Sequence, residues 1–141
     1  MRDEVSAVAG GAVGTAGIVS VLLVGDALAG HRIRPFAVVA TFVLARPDAT
    51  LGLLLFAVLG AVGWPVVFLA FRAYLPGRRD VVRGVAFAVA LWVGDAVLLV
   101  AAGTPAWFLG VAFVGHLVYG GLLGLVYGRF GDHALRAGRL G

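Results

Sequence analysis

Four long runs of this chain are almost free of charge. Val5 to Gly25 is interrupted only by Ser6, Thr15 and Ser20 before it meets Asp26, and Thr50 to Phe71 has no charged residue at all. Gly84 to Gly103 holds a single acid, Asp95, and Pro105 to Gly128 holds a single imidazole, His116. A hydrocarbon core about 30 Å thick needs roughly 20 helical residues at 1.5 Å each, and each run meets that length. The pattern predicts an all-α integral membrane protein, a four-helix bundle built as a single membrane domain over residues 1–141. Its spans are expected near residues 5–28, 50–75, 84–103 and 105–128.

A fifth apolar segment, residues 35–45 (PFAVVATFVLA), is too short to cross. As a helix it reaches about 16 Å, roughly half the hydrocarbon thickness, and Arg46-Pro47-Asp48 follows at once. Thr41 is its only polar residue, so it lacks the charged face of a surface-lying amphipathic helix. A short re-entrant or interfacial helix between spans one and two is the expectation, with an extended loop or a tilted fifth span as alternatives. Helix ends are also marked. Thr104-Pro105 offers an N-cap hydroxyl before a proline at the first helical position. Pro76-Gly77 stops the second span, and Asp80 is placed to cap the third. Trp107 falls near one membrane face, Tyr74 and Tyr127 near the other, as interfacial aromatic belts require.

Composition sharpens the class. The chain is 62% hydrophobic and 13% charged, against about 45–50% and 25% in soluble domains. Its 22 glycines keep no three-residue period and cysteine is absent, which excludes a collagen-like repeat, a disulfide scaffold, an iron–sulfur centre and thiol catalysis. With three histidines and no cysteine, no metal site is expected.

Every basic residue is arginine, and the arginines are unevenly placed. Arg2, Arg72, Arg78, Arg79, Arg83, Arg129, Arg136 and Arg139 share one side with both termini, while Arg32, Arg34 and Arg46 lie on the other. The positive-inside rule then puts both termini, with a tail over residues 129–141, in the cytoplasm of a multi-pass protein of the cell membrane. Topology and anionic lipid explain this basic collar, so no nucleic-acid partner is expected. Ala27-Leu28-Ala29 has the form of a signal-peptidase site, but Asp3 and Glu4 beside Arg2 are unlike a signal n-region. The first helix is expected to be retained.

Lipid removes the hydrophobic drive between helices, so small residues must supply close packing. Gly10-x-x-x-Gly14 in the first span, with Gly11 and Gly17, and the ladder Gly120, Gly124, Gly128 in the fourth are the candidate crossing faces. The helix that meets them lies in this chain, in a second copy or in another subunit. Partners are therefore the lipid bilayer and either other membrane subunits or a second copy.

Ionisable groups inside a membrane need a partner or a purpose. Asp95 and His116 fall at matched depth on neighbouring antiparallel helices, which predicts a hydrogen bond or ion pair between them. That pair would be a structural link fixing helix rotation, part of a proton or ion path, or, through His116 alone, a haem ligand. Asp26, near the opposite surface, is expected to pair with Arg32 and Arg34. Trp64-Pro65 lies mid-way along span two, where proline frees a carbonyl and kinks the helix. Together with Trp92, one turn before Asp95, and Tyr119, three residues after His116, it forms a candidate pocket. His31 and His133 fall in loops. No nucleophile–base arrangement, paired carboxylates or phosphate-cradling loop is present, so no enzymatic activity is expected, and no cofactor apart from that possible haem on His116.

The second half of the chain resembles a known family. Pro76, then Val82-Arg83-Gly84-x-x-Phe87, Leu91-Trp92 and the run Gly115-His116-Leu117-Val118-Tyr119-Gly120-x-x-Leu123-Gly124-Leu125-Val126-Tyr127-Gly128 resemble small four-span membrane proteins of unknown function. These are frequent in halophilic archaea, and some members carry labels linking them to cytochrome c oxidase. The resemblance covers roughly residues 60–128 and implies that His116, Tyr119 and the Gly120 ladder matter. The expected function is that of a non-catalytic accessory or assembly subunit of a larger, respiratory membrane complex. The alternatives are a small self-assembling transporter or proton/ion conductor using Asp95 and His116, and a haem- or quinone-binding membrane protein.

Overall fold

A computed structural model describes residues 2–131; His133, Arg136 and Arg139 lie outside the described residues. The elements are α1 (Asp3–Leu28), α2 (Pro35–Leu44), α3 (Ala49–Val58), a π-helical turn (Leu59–Gly63), α4 (Trp64–Phe71), a 3-10 turn (Arg72–Tyr74), α5 (Asp80–Ala101) and α6 (Ala106–Phe130). Taken from Ala49 to Tyr74, α3 through the 3-10 turn form one span, so four helices are long and apolar enough to cross a membrane. The protein is an all-α four-helix bundle with an added short helix.

The fourth span is the spine. α6 lies between α1 and α5, and α1 packs on its other side against the π turn and α4. Phe108, Leu123 and Tyr127 of α6 are fully buried, as is Phe68 of α4. Phe68 meets Phe87 of α5 and Tyr127 of α6 edge-on, with centroids 5.6 and 5.5 Å apart, and so closes the end of the bundle where α1 begins and α6 ends. The Arg72 guanidinium sits over the Tyr127 ring, 4.9 Å from its centroid. Tyr127 is therefore a core residue, and only exposed Tyr74 is free to serve an interfacial belt on that side.

At the opposite end α2 rests on α3. Gly52 allows this approach, because any Cβ there would overlap the Phe36 carbonyl, and Phe36 and Phe56 stack edge-on at 5.5 Å.

Helix ends follow backbone rules more than side-chain caps. α1 and α5 both finish in Schellman motifs. Gly30 and Gly103 take φ of +64° and +73°, while His31 N–H reaches back to the Asp26 carbonyl and Thr104 N–H to that of Leu99. Thr104 is thus spent on ending α5. The N-cap of α6 is Pro105, without a side-chain bond. Likewise Arg79, not Asp80, is the N-cap of α5. The Asp80 carboxylate turns instead to Arg83 and Arg72, at 3.6 and 3.8 Å.

Candidate functional site

The glycine faces are used inside one chain. A Cβ on Gly10 would lie 2.8 Å from the Leu123 carbonyl oxygen, and one on Gly14 equally close to that of Tyr119, so α1 crosses α6 almost backbone to backbone. The ladder on α6 meets α5: a Cβ on Gly120 would overlap the Gly84 carbonyl, one on Gly124 that of Asp80, and one on Gly128 would press on the Asp80 side chain. α6 thus presents one glycine-matched face to each neighbour. Gly84, the facing glycine that completes the α5 contact, was legible as the start of a run and as part of the family resemblance, but not as a packing residue.

Where these helices meet span two, the chain solves a problem posed by Pro65. In the π turn Trp64 N–H bonds to the Leu59 carbonyl, five residues back. In that register the next donor, residue 65, would serve Gly60, but proline has no N–H. The Tyr119 hydroxyl donates to the Gly60 carbonyl instead, at 2.7 Å. A side chain of the fourth span thereby fills the backbone vacancy in the second. Gly11 of α1 makes room for the joint, since a Cβ there would overlap the Pro65 ring and lie 2.8 Å from the Gly60 oxygen. Thr15 also stands against Gly60, and its buried hydroxyl has no hydrogen-bond partner.

One turn along α6, His116 is 6% exposed. Its Nδ1 lies 2.8 Å from the Ala112 carbonyl, and because a carbonyl only accepts, Nδ1 carries the proton. No hydrogen bond or ion pair joins His116 to Asp95. The expected direct link is not made, because the imidazole is held by its own helix. Asp95 faces a small cavity under α2, lined by Leu22, Phe36, Phe56, Leu99 and Phe108 among others. Its volume is about 20 Å³, room for one water. A small-molecule site needs about 300 Å³ or more, so this space does not fit a haem.

The four residues expected to form a pocket do not line a common one. Trp64 is the most exposed of them and faces outward, while Pro65 packs on Gly11. The Trp92 indole donates to the Leu109 carbonyl at 3.1 Å and meets Phe113 edge-on, so it ties α5 to α6. Asp26 also departs from expectation. Its Oδ1 accepts the backbone N–H groups of Ile33 and Arg34, at 3.0 and 2.9 Å, and its Oδ2 lies 3.4 Å from His31 Nδ1. The guanidinium groups of Arg32 and Arg34 take no part. A buried carboxylate in reach of unpaired backbone donors is satisfied by them before it recruits long, solvated side chains.

A family model covers residues 1–137, and with them the whole of this site. The chain belongs to DUF6789, a family of unknown function. The match agrees with the resemblance to a family of unknown function and extends it beyond residues 60–128 to α1 and α2. Neither the curated proteins nor the solved structures yield a match. What this DUF6789 member does must be read from its geometry: its central polar groups, apart from Asp95 and Thr15, are spent on joining helices or on their own helix.

Proposed function

We propose that this DUF6789 protein is a non-catalytic membrane protein that works through helix packing, as an accessory or assembly subunit of a larger membrane complex. The observation that carries this reading is the use of the central polar side chains. Tyr119 and Trp92 each bond a backbone carbonyl of another span, and His116 one of its own helix. That is the chemistry of a rigid packing element, with little left over to bind or convert a small molecule. The flanking spans supply surface for larger partners. In the most apolar 18-residue stretch of each span, 17% of the second and 22% of the third is buried, against 39% for each of the first and fourth. The oxidase label borne by some members of the resembling family makes a respiratory, terminal-oxidase-type complex the first to test. The arginine asymmetry supports a cell-membrane orientation with both termini in the cytoplasm.

The deciding experiment is purification from native membranes in a mild detergent. Partner polypeptides in fixed proportion are expected, and a homogeneous assembly of this chain alone would overturn the proposal. One observation favours a second reading: Asp95 faces a cavity with no hydrogen-bond partner, close to His116. A small proton- or ion-conducting protein would use that acid. If so, Asp95→Asn would leave assembly intact and abolish a flux measured in proteoliposomes; an unchanged flux would exclude it.

A further inference from the structure

A groove lies between the start of α5 and the end of α6. Its volume is about 350 Å³, and Arg78, Arg79, Asp80, Val81, Gly124, Leu125, Gly128 and Arg129 line it. The groove exists because the α6 ladder ends here. Gly124 and Gly128 have no side chains to fill it and let α6 touch the Asp80 backbone. Its charge is unbalanced. Asp80 is the only acid lining it among the described residues, and that carboxylate is already shared by Arg72 and Arg83. Arg83 is further held by its Nε bond to the Gly77 carbonyl at 3.1 Å, and Arg72 by the Tyr127 ring. Arg78, Arg79 and Arg129 have no acidic partner among the described residues. All three are exposed, and an anion seated between them would turn their mutual repulsion into attraction.

We propose that this groove binds the phosphodiester of an anionic phospholipid. Depth is the first reason: the groove is at the ends of two membrane spans, where lipid headgroups reside. Shape is the second. Below the arginines the walls turn apolar at Val81 and Leu125, both outward-facing, so an acyl chain can follow the headgroup down the bundle. Arginine forks match phosphate oxygens two at a time. A net-negative headgroup of the glycerol type is favoured over a choline headgroup, whose ammonium the same arginines repel. The bound lipid would bridge α5 and α6 where their backbones touch.

The test uses the full chain in non-ionic detergent, with native mass spectrometry after addition of equimolar phosphatidylglycerol and phosphatidylcholine. The parent should retain phosphatidylglycerol in excess. R78A/R79A/R129A should lose it by about five-fold per arginine removed, while R32A/R34A/R46A on the opposite face should match the parent. A triple lysine variant at 78, 79 and 129 should keep most of the retention, which guards against a failure of the alanine variant to fold. Equal retention of the two lipids by the parent would overturn the proposal. So would undiminished phosphatidylglycerol on a folded alanine variant. Full displacement of the lipid by millimolar inorganic phosphate would identify a site for free phosphate instead, and would likewise overturn it.

Discussion

Tyr119→Phe removes one oxygen from the centre of the bundle and should expose what that oxygen does. The phenol ring stays, so packing against Gly14 is unchanged, and the loss is confined to the 2.7 Å bond to Gly60. Hydrogen bonds between membrane helices are worth about 0.6 kcal/mol on average and about 1.7 at most. An acceptor left buried and unpaired costs about 1–3 kcal/mol. Gly60 belongs near the upper end, because Pro65 cannot supply the missing donor. The expected loss of stability is about 1–2 kcal/mol, read from reversible unfolding in mixed detergent micelles followed by tryptophan fluorescence. The decisive comparison is a second background. Pro65→Ala restores an N–H in position to serve Gly60, so there the Tyr119→Phe cost should fall below about 0.5 kcal/mol. The cycle cancels the separate loss of ring contact with Gly11. Equal costs in the two backgrounds would refute the idea that Tyr119 substitutes for the proline's absent donor.

Three further outcomes follow from the packing and the loop. Gly124→Ala drives a methyl into the Asp80 carbonyl and should cost about 1–3 kcal/mol, whereas Gly121→Ala enters open space and should be neutral or stabilising by up to about 1 kcal/mol through helix propensity; the same unfolding assay ranks them. Asp26→Ala strands the Ile33 and Arg34 amides and should cost about 2–4 kcal/mol, with Asp26→Asn recovering at least half because its side-chain oxygen still accepts. Trp92→Phe should keep the contact with Phe113 yet lose about 0.5–1.5 kcal/mol with the indole bond to Leu109, and an unchanged unfolding midpoint would count against that bond.

The spans could be read from composition and length, since a bilayer demands a minimum run of apolar residues whatever the fold. Gly10, Gly14, Gly120, Gly124 and Gly128 were legible for a related reason: close approach in lipid needs missing side chains. Their partners were not, because a glycine spacing does not say which helix it meets. Pro65 announced a free carbonyl, but which carbonyl depends on a one-residue change of helical register, and no local residue pattern encodes that. The contribution of Thr15 and Gly11 was hidden for the same reason. Asp95 and His116 were expected to bond to each other, but the imidazole has an acceptor on its own helix. The error at Asp26 was one of chemistry. Two arginines nearby in sequence drew attention from the amides between them, which a left-handed turn at His31 and Arg34, φ +60° and +50°, aims at the carboxylate.

The joint at Gly60 has a consequence for how the protein is made. Acceptor and donor are 59 residues apart, and synthesis at about 5–20 residues per second separates their emergence by roughly 3–12 seconds. For the later part of that interval, once Tyr74 has followed Gly60, the second span carries a bare carbonyl near its midpoint, a defect worth several kcal/mol in hydrocarbon. A chain truncated before the last helix should therefore be less stable in the bilayer than the full chain by about the cost of that unpaired carbonyl.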